Sequence, residues 1–282
     1  MQVIRKIDEL RRVLEKYRRA GQRIGLVPTM GYFHEGHLSL IDAARQQAEI
    51  VVVSLFVNPT QFGPNEDLDR YPRDFERDER LARERHTDIL FYPDVAEMYP
   101  DSFYTYVITE KLSRVLCGKS RPIHFRGVTT IVAKLFNIVQ PDVAVFGRKD
   151  AQQAIIIRKM VRDLNFPVRI IVAPIVREAD GLAMSSRNRY LTETERQQAP
   201  VIFRALQEAA DLVKEGERDA IRIKDRIRRK IETAPLAKIE YIEIISPDNL
   251  SAVSTIDQKG VFAAVAVWFG KTRLIDNMVL LA

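Results

Sequence analysis

Strand-length apolar runs recur through the first 175 or so residues, and they constrain the fold more than any other feature of the chain. They are "RIGLVPT" (23–29), "IVVVSLFV" (50–57), "DILFYP" (88–93), "VAVFG" (143–147) and "VRIIVAP" (168–174). Between them, apolar residues fall at helical spacing over roughly 37–48, 74–85, 127–139 and 150–163. A strand that is apolar on both faces must be covered on both faces, and an intervening helix supplies the cover. The expected class is therefore α/β, a parallel sheet with helices on both sides. Ligands of such sheets bind beyond the carboxyl ends of the strands. Residues that carry chemistry should follow the strands directly.

The pattern then changes. "TETERQQAPVIFRALQEAADLVKEG" (192–216) and "RDAIRIKDRIRRKIET" (218–233) read as helices, and strands are expected at 239–246, 262–270 and 272–280. Helices followed by grouped strands predict a smaller α+β domain, dividing the chain into 1–176 and 177–282. The start is an amphipathic helix with Ile4, Ile7, Leu10, Leu14 and Tyr17 on one side and a basic outer face. "FYTYVI" (103–108) carries a strand-like apolar pattern that could serve a subunit contact.

Composition narrows the function classes. Of 282 residues, 46% are hydrophobic and 29% charged, and no apolar run reaches the length of a membrane helix. The single cysteine, Cys117, leaves no internal disulfide framework and fits a reducing cytoplasm. The net charge of +6 comes from 44 basic and 38 acidic residues spread over mixed-charge helix faces such as "DFERDERLARERH". A nucleic-acid binder would concentrate them in a patch with interleaved aromatics, so anionic small molecules are the expected partners, with neither nucleic acid nor membrane.

The informative residues do follow strands. In "PTMGYFHEGH" (28–37), Gly31 and Gly36 flank the first of two histidines, His34 and His37, and a helix is expected from His37. A strand, a glycine loop and a helix start present backbone N–H groups and the positive end of a helix dipole, which together favour phosphate. The imidazoles can hydrogen-bond oxygens that gain charge in a transition state. The pair alone would equally suit a turn with incidental histidines, and no third ligand completes a metal site.

"SLFVNPTQFGPNEDLDRYPRD" (54–74) follows the second strand and carries the carboxamides Asn58 and Gln61, suited to a small substrate with hydroxyls and a carboxylate. "GKSRPIHFRGVTTIVAKLFNIV" (118–139) is expected to begin as a loop hinged on Gly118 and Gly127, with His124 and Arg126 between them. In "VFGRKDAQQ" (145–153), Lys149 can neutralise phosphate, Asp150 can bind ribose hydroxyls or a metal or cap a helix, and Gln153 lies one turn on. "EADGLAMSSRNRYL" (178–191) offers two serines and Arg187, able to wrap a polyphosphate or to serve as a domain linker. There is no P-loop, G-x-S-x-G or zinc spacing.

An HxGH loop with a downstream "MSSR" resembles the nucleotidyltransferase group that includes class I aminoacyl-tRNA synthetases. Taken in order, "PTMGYFHEGH", "FVNPTQF", "RPIHFRGVTTIV", "FGRKDAQQ" and "DGLAMSSRNRYL" resemble the pantoate–β-alanine ligase family over nearly the whole chain. The resemblance implies a Rossmann-like domain and a smaller one closing over the ATP site. It implies condensation of pantoate with β-alanine through a pantoyl adenylate, with ATP as substrate, Mg²⁺ accompanying it, and a homodimer. By motif, it implies that Met30, Gly31, Tyr32, Phe33, His34, Glu35, Gly36 and His37 contact ATP, with His37 as proton donor. Gly147, Arg148, Lys149, Asp150, Val176, Met184, Ser185, Ser186 and Arg187 match the other nucleotide-binding segments. His34, Lys149 and Arg187 are expected on phosphates beside His37, and Gln61 and Gln153 at the acid, with Gln61 also bordering β-alanine. The metal ligands are not readable. Tyr32, Phe33, Thr60, Ile123, Arg148 and Ala151 depart from the family's usual residues, and none of them replaces a group assigned to chemistry.

Overall fold

The computed structural model describes residues 1–64 and 66–281. The chain forms two compact units: Met1–Arg114 with Gly118–Arg148 and Ile156–Pro174, and Val115–Cys117 with Lys149–Ile155 and everything from Ile175 onward.

The first unit holds a six-stranded sheet of β1 (Gln2–Ile4), β2 (Ile24–Thr29), β3 (Ile50–Leu55), β4 (Ile89–Phe91), β5 (Val143–Gly147) and β6 (Arg169–Ala173), in the order β1-β4-β3-β2-β5-β6. Every pairing is parallel. From β2 the chain builds outward through β3 to β4, then crosses to the other side of β2 to lay down β5 and β6. The strand order thus reverses between β2 and β5, and the carboxyl ends of these two strands flank the crevice where such sheets bind ligands. All six residues of β3 are buried, and its Ile50-Val51-Val52-Val53 run is β-branched throughout. Each such side chain taken from water stabilises the fold by about 1.5–3 kcal/mol.

The helices of this part of the chain are α1 (Ile7–Arg19), α2 (Glu35–Arg45), α3 (Phe75–Glu84), α4 (Val95–Met98), α5 (Cys117–Ser120), α6 (His124–Val139) and α7 (Ala151–Asp163). One face of the sheet forms a core of Val27, Val51, Val53 and Leu90 with Ile41 and Ala44 of α2 and Ala82 of α3. Helix α1 buries Leu10 and Leu14 and turns its basic residues outward, as its spacing predicts.

The second unit carries an antiparallel sheet in the order β7 (Ala237–Ile245), β8 (Val261–Phe269), β9 (Thr272–Leu280). With it go α8 (Glu193–Gln198), α9 (Val201–Lys214) and α10 (Ala220–Ile231). Ile202 and Leu206 of α9 and Ile223 and Ile227 of α10 share one core with Val265 and Phe269 of β8. Asp219 caps α10 by accepting from the Ile221 N–H at 2.8 Å.

Several boundaries differ from expectation. The N-terminal helix is preceded by an edge strand, β1. The helix expected over 192–216 is two, because Pro200 has no N–H to continue the ladder. Residues 103–108 are not a strand. The loop hinged on Gly118 and Gly127 is absent: Gly118 lies in α5 and Gly127 inside α6. A Cβ on Gly127 would fall 2.4 Å from the Thr60 carbonyl oxygen and 2.5 Å from the Gln61 nitrogen. This glycine is required for close approach of two backbones, not for freedom of movement.

Candidate active site

The loop after β2 runs into α2 at Glu35, two residues before the expected start, because His34 acts as the N-cap. Its Nδ1 accepts from the Gly36 N–H at 3.1 Å, and the His37 Nδ1 accepts, more loosely, from the His34 N–H at 3.4 Å. The two rings lie 4.1 Å apart between centroids. With Nδ1 an acceptor on both, the neutral imidazoles carry their protons on Nε2, which makes both of them donors away from the helix backbone.

The expectation that this loop offers backbone N–H groups to an anion needs correction. The Tyr32 and Phe33 N–H groups donate to the two oxygens of Asp78, at 2.6 and 2.7 Å. Asp78 is 1% exposed. Burial pushes its carboxyl above the usual carboxylate range, against the pull of the two amides and of Arg77. The bulky pair in the loop also divides its work. Phe33 is fully buried and its ring lies 5.7 Å from that of His37, while Tyr32 takes φ 53° and lies under the Arg77 guanidinium. The Phe33 side chain belongs to the core.

Gln61 closes a 3₁₀ turn (Pro59–Gln61) after β3 and is brought to the same loop: its Nε2 lies 3.0 Å from Met30 Sδ. Its Oε1 accepts from Asn58 Nδ2 at 3.0 Å, and Asn58 also donates to the Gly127 carbonyl at 3.1 Å. Asn58 Oδ1 accepts from Tyr99 Oη at 2.8 Å and from Thr60 Oγ1 at 3.0 Å. Burial pushes the Tyr99 phenol up to about 12, so it stays a donor at any working pH. The segment before α6 joins here too. His124 Nδ1 is 3.0 Å from the Gln61 carbonyl oxygen, and Arg121 donates to the same oxygen at 3.4 Å while pairing with Glu66. Gly147 ends β5, so Gly147 and Arg148 lie at the carboxyl edge of the same sheet.

In the second unit, Val176 and Met184 are brought together by the Met184 N–H donating to the Val176 carbonyl at 3.0 Å. Ser185 caps a short turn (Ser186–Tyr190) by accepting from the Arg187 N–H at 3.2 Å. Asn188 ties this turn to Glu178 at 2.7 Å and to the Ala183 carbonyl at 3.1 Å. Lys149 is fixed through its backbone, its carbonyl accepting from Asn277 Nδ2 at 3.0 Å. Beside Asn277, Asp276 pairs with Arg177 at 2.6 Å, and burial pushes the Asp276 carboxyl up despite that partner. The adjacent glutamines separate cleanly. Gln152 is buried and holds the Val115–Cys117 segment through the Cys117 N–H and the Val115 carbonyl, leaving Gln153 as the partly exposed one.

Tyr99, Asp78 and Asn277 were not among the predicted site residues. Asp78 had a signal. It lies at the i+3 position between Phe75 and Ala82, on the one stripe of α3 that faces the core, where a solvated acid should not be. Asn277 had none, because its role is a backbone contact distant in sequence.

A sheet that reverses its strand order beside a glycine-bearing loop, with two imidazoles at a helix start, is the arrangement of α/β proteins whose ligands bind at the switch point. A family model described as pantoate-beta-alanine ligase matches residues 2–279. Pantothenate synthetase from Acetivibrio thermocellus is 56% identical over 279 residues, 99% of each chain, and that from Thermotoga neapolitana 55% over 280 residues, 99% of this chain and 100% of the relative. The crystal structure of pantothenate synthetase from Thermus thermophilus superposes with a TM-score of 0.95 at 44% identity, covering 100% of both chains. The Francisella tularensis pantoate-beta-alanine ligase, complexed with beta-gamma ATP and beta-alanine, gives 0.80 at 33% identity over 99% of this chain and 97% of that one. The chain belongs to the pantoate–β-alanine ligase family and joins pantoate to β-alanine, forming pantothenate.

Proposed function

We propose that the ligation runs in two steps on residues that the HxGH loop and its neighbours present. The pantoate carboxylate attacks the α-phosphate of ATP, forming pantoyl adenylate and expelling pyrophosphate. The amine of β-alanine then attacks the mixed anhydride, the acyl–O bond breaks, and pantothenate and AMP leave while the ammonium proton is lost. A carboxylate is a poor acyl donor until adenylation supplies a good leaving group. The protein's task is then orientation and charge stabilisation.

One observation carries this reading: His34 and His37, capping the helix at the sheet's switch point, both hold Nδ1 as acceptor and so present Nε2–H as donor. His37 donates to the phosphate oxygens as charge develops, with His34 beside it. Gln61, its Oε1 engaged by Asn58 and one Nε2–H by Met30 Sδ, has its other Nε2–H assigned to the acid. Lys149, Ser185, Ser186 and Arg187 are assigned to phosphates and Gln153 to pantoate on the strength of their motifs. Among the described residues no group of three His, Cys, Asp or Glu side chains could cage a metal ion. Mg²⁺ is read as arriving on the phosphates, as Mg-ATP, with Asp150 the carboxylate assigned to assist it on the strength of its motif. The reading includes a homodimer in the cytoplasm, supported by the resemblance and by the lone Cys117. No helix among the described residues is long and apolar enough to cross a membrane.

The deciding assay supplies pantoate, β-alanine and Mg-ATP to purified protein and follows pantothenate and AMP. Pantothenate formed in step with AMP is the expected outcome. Pyrophosphate release without amide formation would instead mark a nucleotidyltransferase that lets its adenylylated product go.

A further inference from the structure

We infer that Asp78 is a positioning residue for the adenylation step: its carboxylate occupies the amide concavity of the HxGH loop and thereby fixes the His34–His37 pair. The inference rests on the reading of His37 given above. Gly31 and Tyr32 follow one another in the left-handed region, at φ 85° and 53°. In a turn, neighbouring backbone N–H groups can converge into a small concavity that binds anions. In a loop of this type a phosphate would be the ordinary occupant. Here the occupant is the protein's own carboxylate, one oxygen on the Tyr32 N–H and the other on the Phe33 N–H.

The fit is tight on every side. A methyl group on Gly31 would stand 2.9 Å from Asp78 Oδ2. Arg77 Nη1 lies 3.8 Å from Oδ1, too far for a hydrogen bond, and its guanidinium sits over the Tyr32 ring. Phe33 is then anchored twice, through its N–H on Asp78 and through a ring with no exposure. The next residue is His34, the helix cap, whose own N–H meets His37. A buried acid on α3 thus sets the backbone from which both imidazoles project.

Two consequences separate this from a merely stabilising contact. The loop amides at residues 32 and 33 are already spoken for, so the nucleotide's phosphates fall to other donors, the imidazole Nε2–H groups among them. In addition, the loss caused by removing the carboxylate is expected to pass through the histidines, whose backbone it sets.

The test uses Asp78→Asn, whose amide can accept from one loop N–H and not from both. Pyrophosphate release with pantoate and Mg-ATP should fall about 30- to 100-fold, as a displacement near 1 Å of a catalytic group costs on the order of 10²-fold. Attack of β-alanine on supplied pantoyl adenylate should stay within about threefold of the unaltered protein, since a positioning effect is confined to the step it serves. Placed on a His37→Ala background, Asp78→Asn should add less than about threefold, because residues acting as a unit are not additive. Multiplicative losses in the double variant, or near-normal pyrophosphate release in Asp78→Asn, overturn the inference. Near-normal release in His37→Ala itself would overturn the reading of His37 and this inference with it. Should Asp78→Asn fail to fold, Asp78→Glu carries the same test: it keeps both acceptors and displaces the loop by a methylene, with the same non-additivity expected.

Discussion

The Asn58 carboxamide donates to Gln61 Oε1 at 3.0 Å, so the orientation of the Gln61 amide is decided by a neighbour that is itself 1% exposed. Asn58 in turn is fixed by the Gly127 carbonyl and the Tyr99 hydroxyl. With Oε1 engaged by Asn58 and one N–H by Met30 Sδ, the Gln61 amide has a second N–H as donor, the polarity that a carboxylate or hydroxyl oxygen needs.

Gln61→Ala should therefore raise the pantoate KM by about 10- to 100-fold, the worth of a hydrogen bond to a charged group. The ATP KM should change little. Initial rates with each substrate varied in turn check this, and an effect confined to ATP would contradict the assignment. Asn58→Ala should show the same pantoate effect and lose about 1–3 kcal/mol of stability, because it takes the buried donor from Gln61 Oε1 and the acceptor from the Tyr99 hydroxyl.

His37→Ala should slow pyrophosphate release by about 10²- to 10³-fold, the usual cost of removing one donor from a developing oxyanion. Attack of β-alanine on preformed pantoyl adenylate needs no such donor at the α-phosphate and should change far less. Single-turnover measurements of the two steps separate them. Equal losses in both would remove His37 from the first step.

Gly127→Ala places a methyl group against the Thr60 carbonyl at 2.4 Å, with backbone on both sides and no flexible side chain to yield. Overpacking of this kind costs about 1–3 kcal/mol, and more where the neighbours cannot shift. The fall in Tm should come with a raised pantoate KM, since the displaced backbone is that of Gln61. A neutral Gly127→Ala would remove the close approach of the two backbones as the reason for that glycine.

Arg177→Ala should be among the most destabilising single changes in the second unit. It leaves Asp276, 4% exposed, without its ion-pair partner, a loss of about 3–5 kcal/mol. Chemical denaturation measures it. Asp276→Asn should cost less, because the substitution removes the buried charge along with the pair.

The Glu66–Arg121 pair predicts a pH dependence of stability. Burial works to raise the Glu66 carboxyl, but the hydrogen bond and charge of Arg121 outweigh it and hold it below its ordinary value of 4.5. A carboxylate depressed in the folded state contributes stability above its unfolded value and loses that contribution as the pH falls through its folded value. The Tm difference between the unaltered protein and Glu66→Gln should accordingly be full near pH 7 and shrink below about pH 4.5. A difference that persists unchanged in acid would assign the effect to shape, not charge.

The sequence by itself determined the parallel sheet, the grouped strands of a smaller α+β domain and the places where chemistry should gather. Apolar period and glycine position are local properties, and they survive any arrangement of the rest of the chain. That is why β2, β3 and β5 fall within the predicted runs, and why the loops after them carried the motifs. The tertiary structure alone decided what those loops do with their hydrogen bonds. Asp78 is 46 residues from Tyr32, and Gly127 is 69 from Asn58. A carboxylate that fills an amide concavity and a glycine that admits a second backbone are identified only when such partners meet. For the same reason "PTMGYFHEGH" could be read as an anion site from its pattern, while the anion its amides hold, the protein's own Asp78, became visible only in three dimensions.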